Sequence, residues 1–275
     1  MAGARDTGET MTQMQTVNSR DGTPLACWRT GNGAPLLLVH GGLCDHLSWF
    51  FAEPLLALHF TVWSYDRRGR GQSGDTQPHS PQREADDIEA ILAAIREPAH
   101  LLGHSAGGIA SLHTALRFST LRSLMLYEPP YIATGARAKP ARAVLEEMER
   151  LLAAGDPDAA LGVAMRETVD MSDVEIDTLR CSPGWEHLRA AARAIPYDWA
   201  LWDDQPSPEA LAAIMTPTLV LMGSKSPAWL RAATQAVAAA LPHAQLIMME
   251  GEGHNAMITA PASFAAEIVR FASAR

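Results

Sequence analysis

Short apolar runs of strand length alternate with longer segments of helical pattern along most of this chain. One run, PLLLVHGG, is of the continuous apolar type that a central, fully buried strand requires. Alternation of this kind is typical of an α/β fold with a mostly parallel central sheet flanked by helices. The strand-like runs cover residues 24–31, 35–42, 60–66, 100–105, 121–130, 217–223 and 244–250, and the helix-like segments between them include 45–57, 81–96 and 107–117.

One long segment breaks the alternation. Residues 131–212 have helical stretches at Ala141–Ala154, Asp158–Thr168 and Trp185–Ala194, and no convincing strand pattern. We interpret them as a helical insertion, or lid, folded over one end of the sheet. Residues 15–130 and 213–275 would then form the α/β core, and residues 1–14 a flexible N-terminus.

Composition narrows the classes of function. A hydrophobic content of 47% is ample for a sizeable core, and the net charge of −9 argues against nucleic acid or an anionic membrane as a partner. Three scattered cysteines are too few for a disulfide framework or a zinc cluster. No stretch resembles a signal peptide or reaches transmembrane length, so we expect a soluble, cytoplasmic protein. The sequence carries no signal of oligomeric state.

The stretch LLGHSAGG contains the pattern G-x-S-x-G, centred on Ser105, between an apolar strand and a helical segment. A nucleophile elbow requires this context, because the turn is sharp enough to strain the serine backbone and expose its hydroxyl. Small residues are needed two positions before and two after the serine. The stretch therefore predicts Ser105 as a nucleophile above the N-terminus of a helix.

Two further stretches supply what a serine nucleophile needs. The tetrahedral intermediate of acyl transfer requires two N–H donors, which we assign to Ala106 and to Gly42 in VHGG, with Leu43 as the alternative to Gly42. His254, in MEGEGHNAM, follows the last strand-like run. It stands after the nucleophile in the order that this architecture requires, and we predict that it is the general base.

Together these stretches resemble the α/β-hydrolase superfamily. YDRRGRGQSGD is similar to the turn that follows the family's fourth strand, GHSAGG to its nucleophile elbow and GEGH to its histidine loop. The resemblance runs from about residue 15 to the C-terminus. It implies the fold named above, with residues 131–212 corresponding to the family's cap domain.

The resemblance also exposes a missing carboxylate. Many relatives place the acid of the triad just after strand 7, where this chain has Ser224, Lys225 and Ser226. Neither side chain type can both accept the imidazole N–H and balance its positive charge. Haloalkane dehalogenases and zearalenone lactonases instead place a glutamate at the end of strand 6, where this chain has Glu128. We therefore predict Glu128 as the acid; the rival carboxylates are Asp203, Asp204 and Glu252.

Other suggestive patterns lead to no cofactor or metal. The pattern G-x-G-x-x-G at residues 69–74 follows a strand, but turn-like residues come after it rather than a helix. His100 and His104 are four apart on a strand, so they do not share a metal-facing side. Cys44 and His46 lie near His40 without a fourth ligand at the usual spacing. We expect neither a metal nor an organic cofactor.

The predicted reaction is hydrolysis of a hydrophobic carboxylic ester or lactone through an acyl-enzyme. Aromatic residues concentrate in the insertion and favour an apolar pocket beneath it, although any one of them can instead belong to the insertion's own core. We predict that Leu43, Tyr131 and Trp185 line this pocket, and Trp185 is the choice for a substrate contact because zearalenone lactonases have a cap tryptophan over the substrate. The resemblance to those enzymes suggests a macrolactone. A cofactor-free perhydrolase, a carbon–carbon bond hydrolase and a non-catalytic ligand-binding module remain alternatives.

Overall fold

The computed structural model describes residues 12–182 and 184–275. Eight strands form one sheet in the order β1-β2-β4-β3-β5-β6-β7-β8. Neighbouring strands from β4 to β8 are parallel, whereas β2 is antiparallel to both β1 and β4. The predicted α/β-hydrolase fold is confirmed. The strands are β1 Gln13–Asn18, β2 Pro24–Thr30, β3 Ala34–Val39, β4 Phe60–Tyr65, β5 His100–His104, β6 Ser123–Tyr127, β7 Thr218–Gly223 and β8 Ala244–Met249.

The central strands are apolar at consecutive positions because both faces of the sheet are covered. Leu37 and Leu101 belong to the hydrophobic core on one face, and Leu36 and Leu102 to the core on the other. Helices α2, α3 and α10 cover the first face, and α1 and α12 the second. The helices of the α/β core are α1 Glu53–Leu56, α2 Pro81–Ile95, α3 Ala106–Ala115, α10 Ala228–Ala240, α11 Ala256–Thr259 and α12 Pro261–Ala272.

The structure corrects two expectations at the start of the chain. Strand β1 begins at Gln13, inside the segment 1–14 that we expected to be flexible, while residues 1–11 lie outside the described residues. β1 is a mostly exposed edge strand, so its sequence lacks the apolar alternation that marks a half-buried strand. The helix expected over residues 45–57 is instead a 3-10 turn, His46–Trp49, followed by the single turn α1.

The longest helix among the described residues is α2, with 15 residues. It begins as the sequence predicts, because the Ser80 side chain accepts the Arg83 N–H and Pro81 occupies the first turn. A transmembrane helix needs about 20 predominantly apolar residues. In the described ranges of the chain, no helix combines the length and the apolar character needed to cross a bilayer.

Between β6 and β7 the described residues form helices and no strand. We call α4–α9 the inserted helices. They pack around a hydrophobic core of their own that includes Met148, Trp185 and Trp199. Leu43, from the loop after β3, packs against this core, so the inserted helices lie over the carboxyl end of the sheet. Their bounds are α4 Arg142–Ala153, α5 Pro157–Val169, α6 Asp173–Arg180, α7 Trp185–Ala191, α8 Ile195–Asp203 and α9 Pro208–Leu211.

Helix α3 approaches the end of β3 very closely at Gly107. A Cβ atom added there would lie 2.5 Å from the carbonyl oxygen of Val39 and closer still to that of His40. Both obstacles are backbone atoms at the end of β3, in Val39 and in His40 directly after it, so neither can rotate away. This close approach places the first turn of α3 beside the loop that follows β3.

We expect Gly107→Ala to destabilise the fold by about 1–3 kcal/mol through overpacking. The matched control is Gly162→Ala in α5, where an added Cβ would meet only the flexible end of Arg180 at 3.1 Å. That change should be neutral or stabilising by about 0.5–1 kcal/mol, since alanine favours a helix interior over glycine. Urea unfolding midpoints measure both; equal stability of the two variants would contradict the close packing.

Candidate active site

Ser105 occupies a sharp turn between the end of β5 and the start of α3. Its φ of 52° and ψ of −125° lie outside the usual region for a residue with a side chain. Such a conformation costs on the order of 1–3 kcal/mol and persists only where the surroundings enforce it. Here the Ser105 N–H donates to the carbonyl of Tyr127 on the neighbouring strand at 2.9 Å. The turn leaves Ser105 partly exposed among buried neighbours.

The two glycines of the motif are required by crowding inside this turn. A Cβ atom on Gly103 would lie 2.7 Å from the Gly107 carbonyl oxygen and 2.8 Å from the Gly108 Cα. A Cβ atom on Gly107 would collide with β3, as described above. The spacing of small residues around Ser105 therefore has a direct steric cause.

Glu128 stands at the end of β6 and is fully buried. Its Oε2 accepts a hydrogen bond from Nδ1 of His254 at 2.7 Å, and its Oε1 accepts the N–H of Gly223 at 2.7 Å. The chain turns abruptly here, since Glu128 has a φ of 47°. A carboxylate at the end of β6 thus reaches the late histidine across a sequence separation of 126 residues.

The rival carboxylates have other partners. Asp203 pairs with Lys139, and Asp204 accepts a hydrogen bond from the Gln82 side chain at 2.6 Å. Glu252 accepts a hydrogen bond from a threonine hydroxyl of α11 at 2.6 Å. Within residues 12–182 and 184–275, none of the three carboxylates bonds to the ring of the candidate histidine.

The segment after β7 fastens the loop after β8 that carries His254, which we call the histidine loop, and supplies no acid. The N–H of Lys225 donates to the Glu252 carbonyl at 2.8 Å, while the lysine side chain is exposed. The hydroxyl of Ser224 accepts the N–H of Gly251 at 2.8 Å. Ser226 is buried near the same turn. No carboxylate is needed at these positions, because Glu128 already accepts the hydrogen bond from the His254 ring.

Two residues that precede the candidate catalytic residues also hold the histidine loop. Nε2–H of His104 donates to the carbonyl of His254 at 2.9 Å, and Tyr127 donates its hydroxyl to the carbonyl of Gly253. The Tyr127 oxygen in turn accepts the N–H of Ala256 at 3.2 Å. Burial, with a smaller contribution from His254, lowers the pKa of His104 well below its usual value. The sequence assigned His104 no role, because its part depends on a loop 150 residues away.

The predicted oxyanion donors lie at the same cavity as Ser105. Ala106 is the first residue of α3, so its N–H has no acceptor within the helix. In the described part of the chain, the N–H of Gly42 donates to no acceptor either. The alternative donor, Leu43, points its N–H at Oδ2 of Asp198, 3.4 Å away. The geometry therefore favours Gly42 and Ala106 as the pair of free donors.

A cavity of about 330 Å³ connects these groups, and Ser105, His254, Gly42, Ala106 and Leu43 all line it. No hydrogen bond joins the Ser105 hydroxyl to the His254 ring among the described residues; such bonds often tighten only when a substrate is bound. The rest of the wall is largely apolar and comes mainly from the inserted helices and α10. Its larger apolar residues are Met148, Met165, Met171, Leu188, Ile195, Trp199, Trp202, Trp229 and Leu230.

The structure corrects two predicted pocket residues. Trp185 is buried in the core of the inserted helices, where its indole N–H donates to Asp158 at 2.5 Å. Tyr131 is fully buried beside the sheet and donates its hydroxyl to the Pro206 carbonyl at 2.7 Å. Neither residue lines the cavity. Aromatic content alone does not show which face of a helix meets the cavity and which meets its neighbours.

Trp229 is a cavity residue that the sequence reasoning missed. It is the second residue of α10 and follows the turn after β7, at the carboxyl edge of the sheet. Parallel strands direct their following loops to this edge, where α/β proteins bind ligands. An aromatic residue at that position was the available signal.

A buried set of ion pairs joins the inserted helices to the loop after β3. Oδ1 of Asp198, on α8, accepts from Arg67 at 3.1 Å and from Arg70 at 2.6 Å, and Arg67 also donates to the Gly41 carbonyl at 3.1 Å. Glu84 pairs with both arginines, all three being fully buried. Burial alone would lower the pKa of Arg67, but Glu84 and Asp198 outweigh it and raise the pKa.

Residues that could suggest a cofactor or metal have structural partners. The segment 69–74 is a loop, and the next helix begins only at Pro81. Asp45, His46 and Asp66 bring possible ligand atoms within 4.8 Å of one another. Oδ1 of Asp66, however, accepts both Nδ1–H of His46 at 2.7 Å and its backbone N–H at 3.0 Å. His40 accepts the backbone N–H of Arg67 at 3.0 Å. Asp66, His46 and His40 therefore each have a hydrogen-bond partner within the protein.

Comparison with known proteins gives consistent matches. The sequence model described as "Alpha/beta hydrolase family" matches residues 36–267. A solved structure of an alpha/beta hydrolase from Sphaerobacter thermophilus is 36% identical and superposes with a TM-score of 0.87 over 94% of this chain and 99% of that one. The putative carbamate hydrolase RutD from Pseudomonas savastanoi is 29% identical over 258 residues, 88% of this chain and 95% of its own. The probable oxidoreductase EphD from Mycobacterium tuberculosis is 36% identical over 100 residues, 34% of this chain and only 17% of its own length.

The hydrogen bonds of Glu128 predict an effect on the His254 tautomer. In Glu128→Gln the Gly223 N–H still requires an oxygen, so the amide NH₂ must face Nδ1 of His254. The ring then has to accept at Nδ1 and carry its proton on Nε2, the opposite of the wild-type tautomer. Nitrogen-15 chemical shifts of His254 report this directly. Asp203→Asn is the control and should leave the tautomer unchanged; a changed tautomer in that variant would identify a different acid.

Proposed function

The chain belongs to the alpha/beta hydrolase family, and from that membership we propose that it hydrolyses an apolar carboxylic ester or lactone through an acyl-enzyme on Ser105. The observation that carries the proposal is the buried Glu128–His254 pair, joined at 2.7 Å beside an elbow serine in an apolar cavity. This arrangement has the parts of a nucleophile, a base and a group that orients the base.

In the proposed first step, the Ser105 hydroxyl attacks the carbonyl carbon and His254 takes its proton at Nε2. Glu128 holds the ring by accepting the Nδ1–H and balances the positive charge that forms on it. The tetrahedral intermediate collapses as His254 returns the proton to the leaving alcohol. Water then attacks the acyl-enzyme by the same route, which releases the acid and restores Ser105.

Negative charge that develops on the carbonyl oxygen requires donors that are already in place. The N–H groups of Gly42 and Ala106 are suited to this role because they have no other acceptor in the described residues. Losing one such donor typically slows an acyl-transfer enzyme by about 10²–10³. The close packing of Gly107 on β3 supports the role, since it sets the spacing between the two donors.

The cavity supports an uncharged, apolar substrate. No lysine or arginine lines it in the described ranges, so a substrate carboxylate would have no positive partner. Methionine and tryptophan side chains form much of its wall and suit a bulky acyl or aryl group. A macrolactone such as zearalenone remains within this class. The relative named as a putative carbamate hydrolase makes a carbamate the second candidate, since its carbonyl would meet the same groups.

The test is turnover of a panel of aryl esters, macrocyclic lactones and carbamates. We expect the wild type to hydrolyse apolar esters, and Ser105→Ala to lower turnover by roughly 10⁶ and to abolish labelling by a fluorophosphonate probe. Lys225→Ala is the control, and should stay within about fivefold of wild type. Probe labelling without turnover of any panel member would contradict the proposed hydrolysis. Turnover of carbamates alone would select the second candidate.

Substrate size should depend on the tryptophans that line the cavity. Trp229→Ala removes part of the wall and should reduce kcat/KM for a bulky aryl ester by about tenfold or more, with little effect on a short acetate ester. Trp185→Phe removes the indole N–H that reaches Asp158, so it should lower the melting temperature and leave the ratio of the two substrates unchanged. A loss of selectivity in Trp185→Phe would contradict the assigned positions of these side chains.

A further inference from the structure

Asp198 is a carboxylate inside the cavity that the proposed mechanism does not use. One of its oxygens, Oδ1, is held by Arg67 and Arg70 at 3.1 and 2.6 Å. Both guanidinium groups are fully buried, whereas 18% of the Asp198 side chain stays exposed. An ionised carboxylate accepts hydrogen bonds and donates none, so Asp198 can offer the cavity an acceptor and no donor.

The second oxygen, Oδ2, lies beside the loop after β3. It is 2.8 Å from the position that a Cβ atom on Gly42 would take, and its one partner in the described residues is the N–H of Leu43 at 3.4 Å. That hydrogen bond is long for an N–H donor. Oδ2 therefore keeps capacity for a stronger donor on the cavity side.

The surrounding charges indicate what kind of donor fits. Asp198 and Glu84 carry two negative charges, and Arg67 and Arg70 carry two positive charges, so the four side chains together are neutral. A substrate ammonium group would meet two guanidinium groups behind Asp198 and would gain little. An uncharged O–H or N–H group meets a suitable acceptor without that opposition.

Resting on the proposed function, we propose that Asp198 is a specificity-determining residue that accepts a hydrogen bond from an uncharged O–H or N–H group of the substrate. This O–H or N–H group is on the substrate atom bonded to the scissile carbonyl carbon, or on an atom close to that carbon. When the carbonyl oxygen lies at the Gly42 N–H, substituents of the carbonyl carbon are the substrate atoms nearest Oδ2. In a largely apolar cavity this acceptor selects among esters of equal size.

A substrate without such a donor leaves Oδ2 desolvated and without a strong partner, which disfavours binding. Asp198→Asn reverses the chemistry in a defined way. Because Arg67 and Arg70 still require an oxygen at the Oδ1 position, the amide NH₂ must occupy the Oδ2 position. The variant therefore presents a donor where the wild type presents an acceptor.

The experiment uses matched pairs of aryl esters that carry either a hydroxyl or a methoxy group. In one pair the group is on the α-carbon of the acyl part, as in phenyl mandelate and its O-methyl ether. In the other pair the group is on the alcohol part, on the carbon next to the one that bears the ester oxygen. For at least one pair we expect wild-type kcat/KM to favour the hydroxyl member by about tenfold or more. Asp198→Asn should bring that ratio to about one or reverse it.

Thr168→Val is the matched control, because Thr168 also lines the cavity but its hydroxyl already donates to the Ala164 carbonyl at 2.6 Å. It should keep the wild-type ratio. Dissociation constants of the same pairs with Ser105→Ala, with and without Asp198→Asn, give the preference independently of turnover. Absence of ester turnover would then contradict the proposed function, while the binding ratios would still test Asp198.

Two results would overturn the inference. One is a preference near unity for both pairs, in wild-type kcat/KM and in binding to Ser105→Ala, which needs no change at Asp198 and so remains decisive if Asp198→Asn fails to fold. The other is a hydroxyl preference that survives unchanged in a folded Asp198→Asn enzyme. Either outcome would reduce Asp198 to an ion-pair partner that fastens α8 to the sheet.

Discussion

The buried carboxylate of Glu128 is the interaction on which the arrangement of the candidate site depends. A carboxylate without solvent is costly unless both oxygens have partners, and here Gly223 and His254 provide them at 2.7 Å each. These two bonds join the ends of β6 and β7 to the histidine loop. The positive φ of Glu128 is a second cost, which these contacts offset. One side chain therefore fixes both the edge of the sheet and the direction of the imidazole.

The serine side of the site is held by steric crowding instead of charge. Gly103 and Gly107 leave no space for a side chain, so the elbow has essentially one way to pack between β3 and α3. His104 and Tyr127 then attach the histidine loop to the residues immediately before Ser105 and Glu128. The neighbours of Ser105 and Glu128 thus hold the loop that carries His254 through hydrogen bonds from side chains to backbone carbonyls. Rigid support of this kind is what proton transfer between a serine and a histidine requires.

The charges around the loop after β3, like the apolar wall of the cavity, are suited to an uncharged substrate. Arg67 and Arg70 are fully buried, yet Glu84 and Asp198 balance their charge, so no uncompensated cation faces the substrate. Both guanidinium groups hold Asp198 on α8, and Arg67 also donates to the Gly41 carbonyl. Under the proposed function, selection among neutral substrates would depend on the shape of the cavity and on hydrogen bonding to Asp198.

The sequence by itself determined the fold class and the position of the strained serine, because the signals for both are local: apolar runs of strand length and small residues around a sharp turn. Glu128 could be predicted as the acid for two reasons. The segment after β7 has no carboxylate, and the families that this chain resembles can place a glutamate at the end of strand 6 instead. Only the tertiary structure decided which tryptophans line the cavity, since a helical pattern does not show which neighbour each face meets. Asp198 and His104 likewise acquire partners 128 to 155 residues away. Contacts at that separation follow from how the sheet and the inserted helices pack, and no short stretch of sequence encodes them.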